Sequence, residues 1–445
     1  MPGERLPSVR ELVAAYRASP LTVQRVVTAL AAEGLVEPRP GQGTFVAARP
    51  PAPDLPADLS WQSVALGPRS TGAGDVRALL TQPPPGTIAL SGGYPEPALQ
   101  PLALAGAALA RAARRPASWD RGAPEGREDL RAWFARAVGA GLGAHDVVIT
   151  PGAQPALATA FRALTTPGQP VIVESPTYVG ALAAARAAHV ELVAVPSDAD
   201  GLRPDLLEQA LAQTGARLVY AQPLYANPHG AVLSPERRAE VHRLLARHRA
   251  FLVEDDWARD LAIDGDAPRP LAADDPEGHV VYVRSLTKCV APGLRVAALA
   301  ARGAAGARLR EARVVDDLFV SGPLQEAAVE IVSSPSWPRH LRHLRAELGR
   351  RRDALAAALD RHLPQLVPAR LPPGGLHLWV RLPDGLDDMA LAAAAPAHGV
   401  VVYPGRPLHP AEAPGSFLRL TFAAAPLAAL DEGARRLGDA VRAVS

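Results

Sequence analysis

From about residue 87 the chain alternates short apolar runs with longer amphipathic ones. Val147–Thr150, Pro170–Val173, Val190–Val195, Arg217–Ala221, Phe251–Glu254, His279–Arg284 and Arg295–Ala300 are predicted strands. Helix-length stretches separate most of them: Ala153–Leu164, Tyr178–Ala188, Pro204–Leu211 and Pro235–His248. The alternation predicts an α/β domain with a mostly parallel sheet, helices on both faces, and ligands at the carboxyl ends of the strands. After about Pro323 the pattern turns to long helices, then strands Leu376–Arg381 and Phe417–Thr421 and a closing helix, the pattern of a smaller α+β lobe. The expected domains are residues 1–49, a linker at 50–85, and 86–445. Within the last, a large lobe spans about 117–322 and a small lobe about 323–445 together with 86–116. The linker is crowded with proline (Pro50, Pro51, Pro53, Pro56, Pro68, Pro83, Pro84, Pro85) and reads as semi-extended.

Residues 1–49 carry two short helical patterns and a Gly-rich hairpin. Ser8 is placed to cap the first helix, in which Leu12 and Tyr16 share a face. Ser19 caps the second, with Pro20 in its first position, where proline is tolerated. That helix turns Val23, Val26, Val27 and Leu30 inward and Thr22, Gln24, Arg25 and Thr28 outward, and ends at Gly34. A hairpin over 36–46 follows, tipped by Gly41 and Gly43. These are the elements of a winged helix-turn-helix. The runs Leu6-Pro7-Ser8-Val9-Arg10-Glu11-Leu12, Ser19-Pro20-Leu21-Thr22-Val23, Leu30-Ala31-Ala32-Glu33-Gly34 and Gly41-Gln42-Gly43-Thr44-Phe45-Val46 resemble the GntR-type DNA-binding domain. The resemblance implies that Arg10 and Arg25 approach phosphates, Thr22 the major groove, and Gly41 and Gly43 the minor groove. Two departures stand out. The family's domain usually opens with an amphipathic helix, and residue 1 lies after it, so the first helix is expected to be missing and Leu12, Val13, Val26 and Leu30 to lack part of their cover. Pro20 stands where the family often has an arginine facing DNA.

Composition narrows the classes. At 445 residues and 48% hydrophobic content the chain can build two or three domains around a large core. A formal charge of +2 excludes a general polyanion-binding field, and six arginines against Glu4, Glu11, Glu33 and Glu37 leave the first 49 residues only weakly basic. The single cysteine, Cys289, excludes an intramolecular disulfide and a zinc-finger spacing, so no metal is expected. The first residues lack the apolar stretch of a signal peptide, and Arg111 interrupts the apolar run at 102–110. A cytoplasmic protein with no membrane partner is expected.

One count changes the picture further. Lys288 is the only lysine, against 46 arginines, where a lysine is ordinarily about one residue in twenty. Arginine supplies charge but keeps its proton, whereas lysine can be tuned into a neutral nucleophilic amine. Lys288 follows a predicted strand in Ser285-Leu286-Thr287-Lys288-Cys289-Val290-Ala291-Pro292-Gly293-Leu294-Arg295, a hydroxyl beside it and an arginine downstream. This suits an imine with an aldehyde next to a phosphate, and the Schiff-base aldehyde of biology is pyridoxal phosphate. The cofactor's other requirements have candidates at strand ends. Gly152, Ala153 and Gln154 open a helix whose N–H groups suit phosphate; Tyr178 can stack on the ring; Asn227 can donate to its phenolic oxygen. Glu254-Asp255-Asp256 supplies a carboxylate for the pyridine nitrogen.

Residues from about 87 to 445 therefore resemble the fold-type I pyridoxal-phosphate aminotransferases, and the whole chain resembles the MocR-type regulators, in which a GntR-type segment precedes such a domain. The resemblance implies that Lys288 is the catalytic lysine and forms the internal aldimine, that Ser285 and Arg295 bind phosphate with Gly152–Gln154, and that Asp255 pairs with the pyridine nitrogen, Asp256 being the alternative. Arg419, in Phe417-Leu418-Arg419-Leu420-Thr421-Phe422, would clamp a substrate carboxylate beside Asn227. Trp257 departs from the family's Asp-x-Tyr, whose hydroxyl bonds the phenolic oxygen. His229 and His377 read as packing or supporting residues, and Cys289 as a small buried hydrophobe. Two functions remain open. One is a homodimeric regulator of DNA that senses pyridoxal phosphate or an amino compound at Lys288. The other is an aminotransferase converting an amino acid to a 2-oxo acid, with a residual winged-helix segment; Pro20, Asn227 and the missing first helix favour it.

Overall fold

The computed structural model describes residues 1–48, 58–66, 72–139, 141–366, 368 and 370–444. It divides into two units, residues 1–69 and 70–445. In the first, helices α1 (Val9–Tyr16) and α2 (Pro20–Ala32) precede strands β1 (Val36–Arg39) and β2 (Gly43–Val46). Ser8 and Glu11 form a reciprocal capping box, and Ser19 accepts the Thr22 amide at 3.1 Å. The strands pair antiparallel, Val36 opposite Val46, through the glycine tip. Val23 and Val36 are buried, whereas Leu12, Val13 and Leu30 are half-covered. Val26, read as inward, is 52% exposed. Two short helices and a two-stranded wing enclose only one apolar line, and Val26 lies outside it.

The stretch 50–85, read as a semi-extended linker, contains two helices, α3 (Ser60–Leu66) and α4 (Ala73–Leu80). The rest of that reading falls partly on residues outside the described ones. Prolines punctuate this stretch but spare both helices, each of which is shorter than the window in which helical periodicity is readable.

In the second unit the strands are β3 (Ile88–Ala89), β4 (Val147–Thr150), β5 (Pro170–Ser175), β6 (Glu191–Asp198), β7 (Gly201–Leu202), β8 (Leu218–Ala221), β9 (Phe251–Asp255), β10 (Val280–Ser285), β11 (Ala297–Ala300), β12 (His377–Arg381), β13 (Val400–Val401), β14 (Tyr403–Pro404) and β15 (Phe417–Thr421). Eight form one sheet in the order β4-β11-β10-β9-β8-β5-β6-β7. Neighbours from β10 to β6 pair parallel, and only β11 and β7 run against the rest. The strand expected at 295–300 is thus real but antiparallel and shorter. It follows β10 after a loop with no crossover helix, too short for a parallel return. Helices bury both faces of the sheet, so its strands are largely apolar even at the β4 edge: Val147 and Ile149 enter one core cluster and Val148 another. β12, β15 and β14 form a small antiparallel sheet, and β3 pairs with β13. Among the described residues no helix is long and apolar enough to cross a membrane.

Candidate functional site

Five strands of the large sheet end at one cavity. The helix Ala153–Leu164 begins just after β4, capped by Gly152. Gly152 has a positive φ of 112°, and a Cβ there would overlap the guanidinium of Arg295. Glycine at this turn therefore lets an arginine and a helix N-terminus share one concave corner. Ser285, the last residue of β10, and Thr287 just beyond it face the same cavity, their hydroxyls 2.6 Å apart, and the Thr287 amide donates to Ser285 Oγ at 3.1 Å. Two hydroxyls, a guanidinium and the first amides of a helix make a phosphate cradle.

Lys288 reaches into the cavity from the loop between β10 and β11. Its Nζ donates to Gly93 O at 2.6 Å and lies 3.7 Å from the centre of the Tyr94 ring. Burial lowers its pKa from 10.5 to about 7, helped by Arg419 and Arg295 and opposed by Asp255. The amine is therefore about half neutral at pH 7. In protein freed of cofactor, amine-reactive labelling of the peptide containing Lys288 is expected to be half-maximal near pH 7, because only the unprotonated form above that pH reacts. Labelling that rises only above about pH 9, as for an ordinary lysine, would remove the basis for a tuned amine; mass spectrometry of the peptide distinguishes Lys288 from the terminal amine.

Asp255, the last residue of β9, is buried and lines the same cavity. Its Oδ2 accepts from Tyr220 Oη and Gln222 Nε2, both at 2.8 Å, while Oδ1 is buried without a partner among the described residues. Burial raises its pKa to about 6 against those two hydrogen bonds. Asp256 instead accepts from Tyr282 Oη at 2.7 Å and pairs with Arg259, away from the cavity. Both carboxylates keep one oxygen without a partner among the described residues, and of the two only Asp255 lines the cavity.

Gln222 extends the network. Its Oε1 accepts the Asn227 amide at 2.9 Å, and its own amide donates to buried Glu174 at 2.7 Å. Asn227 Oδ1 accepts from Arg419 Nη1 at 3.3 Å. Arg419 projects from β15 beneath the cavity, donates to Ser91 O at 2.7 Å, and lies over the Tyr403 ring. Its Nε is buried without a partner, and burial pushes its pKa down to about 10. Tyr178 forms another wall; its hydroxyl donates to Gln154 at 3.1 Å, and Gly180 leaves room that a Cβ would fill against the ring.

Trp257 also lines the cavity, but its indole N–H is spent on Tyr225 O at 3.2 Å. His377, read as packing, is buried against Trp257 with ring centres 5.7 Å apart, and burial holds it well below its usual pKa. Cys289 is buried, donates weakly to Asp260, and burial raises its thiol pKa, which favours the protonated thiol.

The structure thus brings together Gly152, Ala153, Gln154, Tyr178, Asn227, Asp255, Ser285, Lys288, Arg295 and Arg419, whose candidates lay on separate segments of the sequence. Arg10, Thr22, Arg25, Gly41 and Gly43 belong to the other unit: Thr22 and Arg25 lie exposed on α2, Arg10 on α1, and the glycines in the wing. Sequence reasoning missed Gly93, Tyr94, Gln222 and, behind Asp255, Tyr220, and the α4 residues Val76, Leu79 and Leu80 that close one side of the cavity. The run Ser91-Gly92-Gly93-Tyr94-Pro95 carried a turn signal; a glutamine after a strand carried none.

These residues fit pyridoxal phosphate on two observations. The orphaned Asp255 Oδ1 awaits an N–H donor, and the Gly152–Arg295 corner awaits an anion. Comparison with known proteins points the same way. Residues 107–437 match the family model for aminotransferase class I and II, and residues 1–46 that for bacterial regulatory proteins of the gntR family. An uncharacterized HTH-type transcriptional regulator, YdcR of Escherichia coli (strain K12), is 31% identical over 95% of this chain and 91% of its own length. The 2-aminoadipate transaminase of Thermus thermophilus is 32% identical over 86% of this chain and 98% of its own. A solved structure, the α-aminoadipate aminotransferase LysN of Thermus thermophilus complexed with N-(5'-phosphopyridoxyl)-L-leucine, superposes with a TM-score of 0.79 at 30% identity, covering 87% of this chain and 99% of that one.

Proposed function

The chain belongs to the class I and II aminotransferase family and, with its gntR-family segment, to the MocR-type regulators, and we propose accordingly that it is a homodimeric DNA-binding regulator whose affinity for its operator is set by what occupies Lys288. Its cofactor is pyridoxal phosphate. When bound, pyridoxal phosphate supplies an aldehyde for amines and an electron-withdrawing ring. On this reading Lys288 would provide the neutral amine that holds it and the base that moves a proton at the substrate carbon. Asp255 Oδ1 keeps the ring nitrogen protonated. Gly152–Gln154, Ser285, Thr287 and Arg295 hold the phosphate, and Tyr178 covers a ring face. With Trp257 engaged by Tyr225, the phenolic oxygen falls to the Asn227 side-chain amide. Arg419 binds the carboxylate of an amino acid, exchanging its contacts to Asn227 and Ser91 for the ligand. Residues 1–49 act as the DNA-binding head and 86–445 as the sensor.

The observation that carries this reading is the coexistence of the DNA-binding motif at residues 6–46 with a fully furnished lysine cavity. A gel-shift series on the neighbouring promoter tests it. Arg10→Ala and Arg25→Ala are expected to weaken binding across sequences and to lower the salt slope by about one each, as for lost phosphate contacts. Thr22→Ala is expected to relax sequence preference instead, and ligand at Lys288 to shift the midpoint. The second reading, an aminotransferase, is favoured by the Asn227–Arg419 pair, which is poised for a carboxylate. Turnover of an amino acid to its 2-oxo acid without any sequence-specific gel shift would establish it in place of the regulator.

A further inference from the structure

A second cavity opens beside the first, and no described residue lines both. Their walls are nevertheless shared at the level of segments. The end of β5 gives Ser175 to the second cavity and the turn after it gives Tyr178 to the first; the turn after β8 gives His229 and Asn227 in the same order; β15 gives Phe417 and Arg419. Trp379 stands opposite Arg419 in the β12–β15 register and lines the second cavity.

Its aromatic wall is ordered. The Trp379 and Phe417 rings are stacked, centres 4.8 Å apart and planes within 6°, and His409 closes the corner 6.2 Å from Trp379. Polar atoms set against this wall lack partners. His229 Nε2, His409 Nε2 and Ser197 Oγ are all buried and make no hydrogen bond among the described residues, and His409 as a whole is only 6% exposed. Buried polar groups are ordinarily satisfied, so three orphans on one cavity call for an occupant.

The chemistry of that occupant can be read from His229. Its Nδ1 accepts the Ala231 amide at 3.3 Å, so a neutral ring carries its proton on Nε2. Burial keeps the ring neutral by lowering its pKa to about 4. His229 Nε2 is thus a donor with no acceptor among the described residues, on a side chain that lines the cavity. The charged groups at the cavity do not favour either sign: Asp198 is tied to Arg237, and Arg370 and Glu412 oppose one another in charge.

We propose that this second cavity binds an uncharged planar aromatic molecule bearing a carbonyl or ring-nitrogen acceptor, its ring against Trp379 and Phe417 and its acceptor on His229 Nε2. The inference is independent of the DNA-binding reading and of events at Lys288. Indole-3-carboxamide, a flat ring with one carbonyl, is the probe, titrated by calorimetry into the full-length, cofactor-loaded protein. One molecule per chain is expected to bind. Trp379→Leu and His229→Phe are expected to weaken it by about tenfold or more, the scale of a lost buried hydrogen bond or aromatic contact. Far-UV circular dichroism and thermal melting check that each variant is folded, and Ser197→Ala and Phe417→Leu serve if either is not. No binding at millimolar probe overturns the proposal. So does equal affinity in folded variants, or binding lost on filling the Lys288 cavity with an amino acid.

Discussion

Lys288→Ala is expected to abolish the cofactor's covalent attachment and its visible absorption, and Lys288→Arg to behave the same way. Any amino-acid turnover should fall by at least about 10³-fold, in the range for losing a positioned proton-transfer group. The paired result is the informative one. In a chain that carries 46 arginines and one lysine, the arginine variant preserves charge and removes only the ability to become neutral. The cavity supplies the reason. Burial, together with Arg419 and Arg295, drives the amine toward its neutral form near pH 7, whereas a guanidinium at this position would remain charged beside those two cations. Spectra of the purified variants after addition of cofactor, followed by borohydride reduction and mass spectrometry, measure this directly. A Lys288→Arg protein that keeps the imine absorption would sink the assignment.

Asp255→Asn is expected to leave the fold intact but to slow amino-group exchange by roughly 10²–10³-fold, the cost of removing one preorganised electrostatic partner of developing charge. Asparagine matches the shape and can still accept from Tyr220 and Gln222, so the structural contacts at 2.8 Å survive. The negative charge next to the ring nitrogen does not. Burial raises the Asp255 pKa to about 6 in the empty cavity, and a protonated ring nitrogen against Oδ1 favours the charged form and lowers it from there. Wild-type exchange should therefore hold down to about pH 6 and fall only below it, while the Asp255→Asn protein should show no such limb. Single-turnover absorbance changes on either side of that pH separate the cases. Asp256→Asn serves as the contrast: it disrupts the pairing with Arg259 and Tyr282 and is expected to lower stability while leaving the pH limb in place.

Most of the fold was legible because strands buried on both faces leave near-continuous apolar runs. The boundaries of β4 and β15 and of the helices at 153–164 and 235–248 coincide with the sequence pattern. The direction of β11 and the helices α3 and α4 were not legible. Strand pattern carries no direction until the connecting loop is placed, and helices of seven and eight residues are too short for a period to emerge from proline-broken sequence.

The site divides in the same way. Its chemistry was written in residue types: a lone removable proton at Lys288, a phosphate-suited turn at Gly152, acidic residues at the end of β9, and a winged-helix motif ahead of them. Which of these groups meet was left to the packing of the chain. Packing turned Asp255 toward the cavity and Asp256 toward Arg259, spent the Trp257 indole on Tyr225, and recruited Gly93, Tyr94 and Gln222. Residue type states what a side chain can do with a proton or a charge, and that is local. Whether its lone pairs are free depends on partners brought from distant segments, and in a close-packed interior that is settled only when the strands have paired.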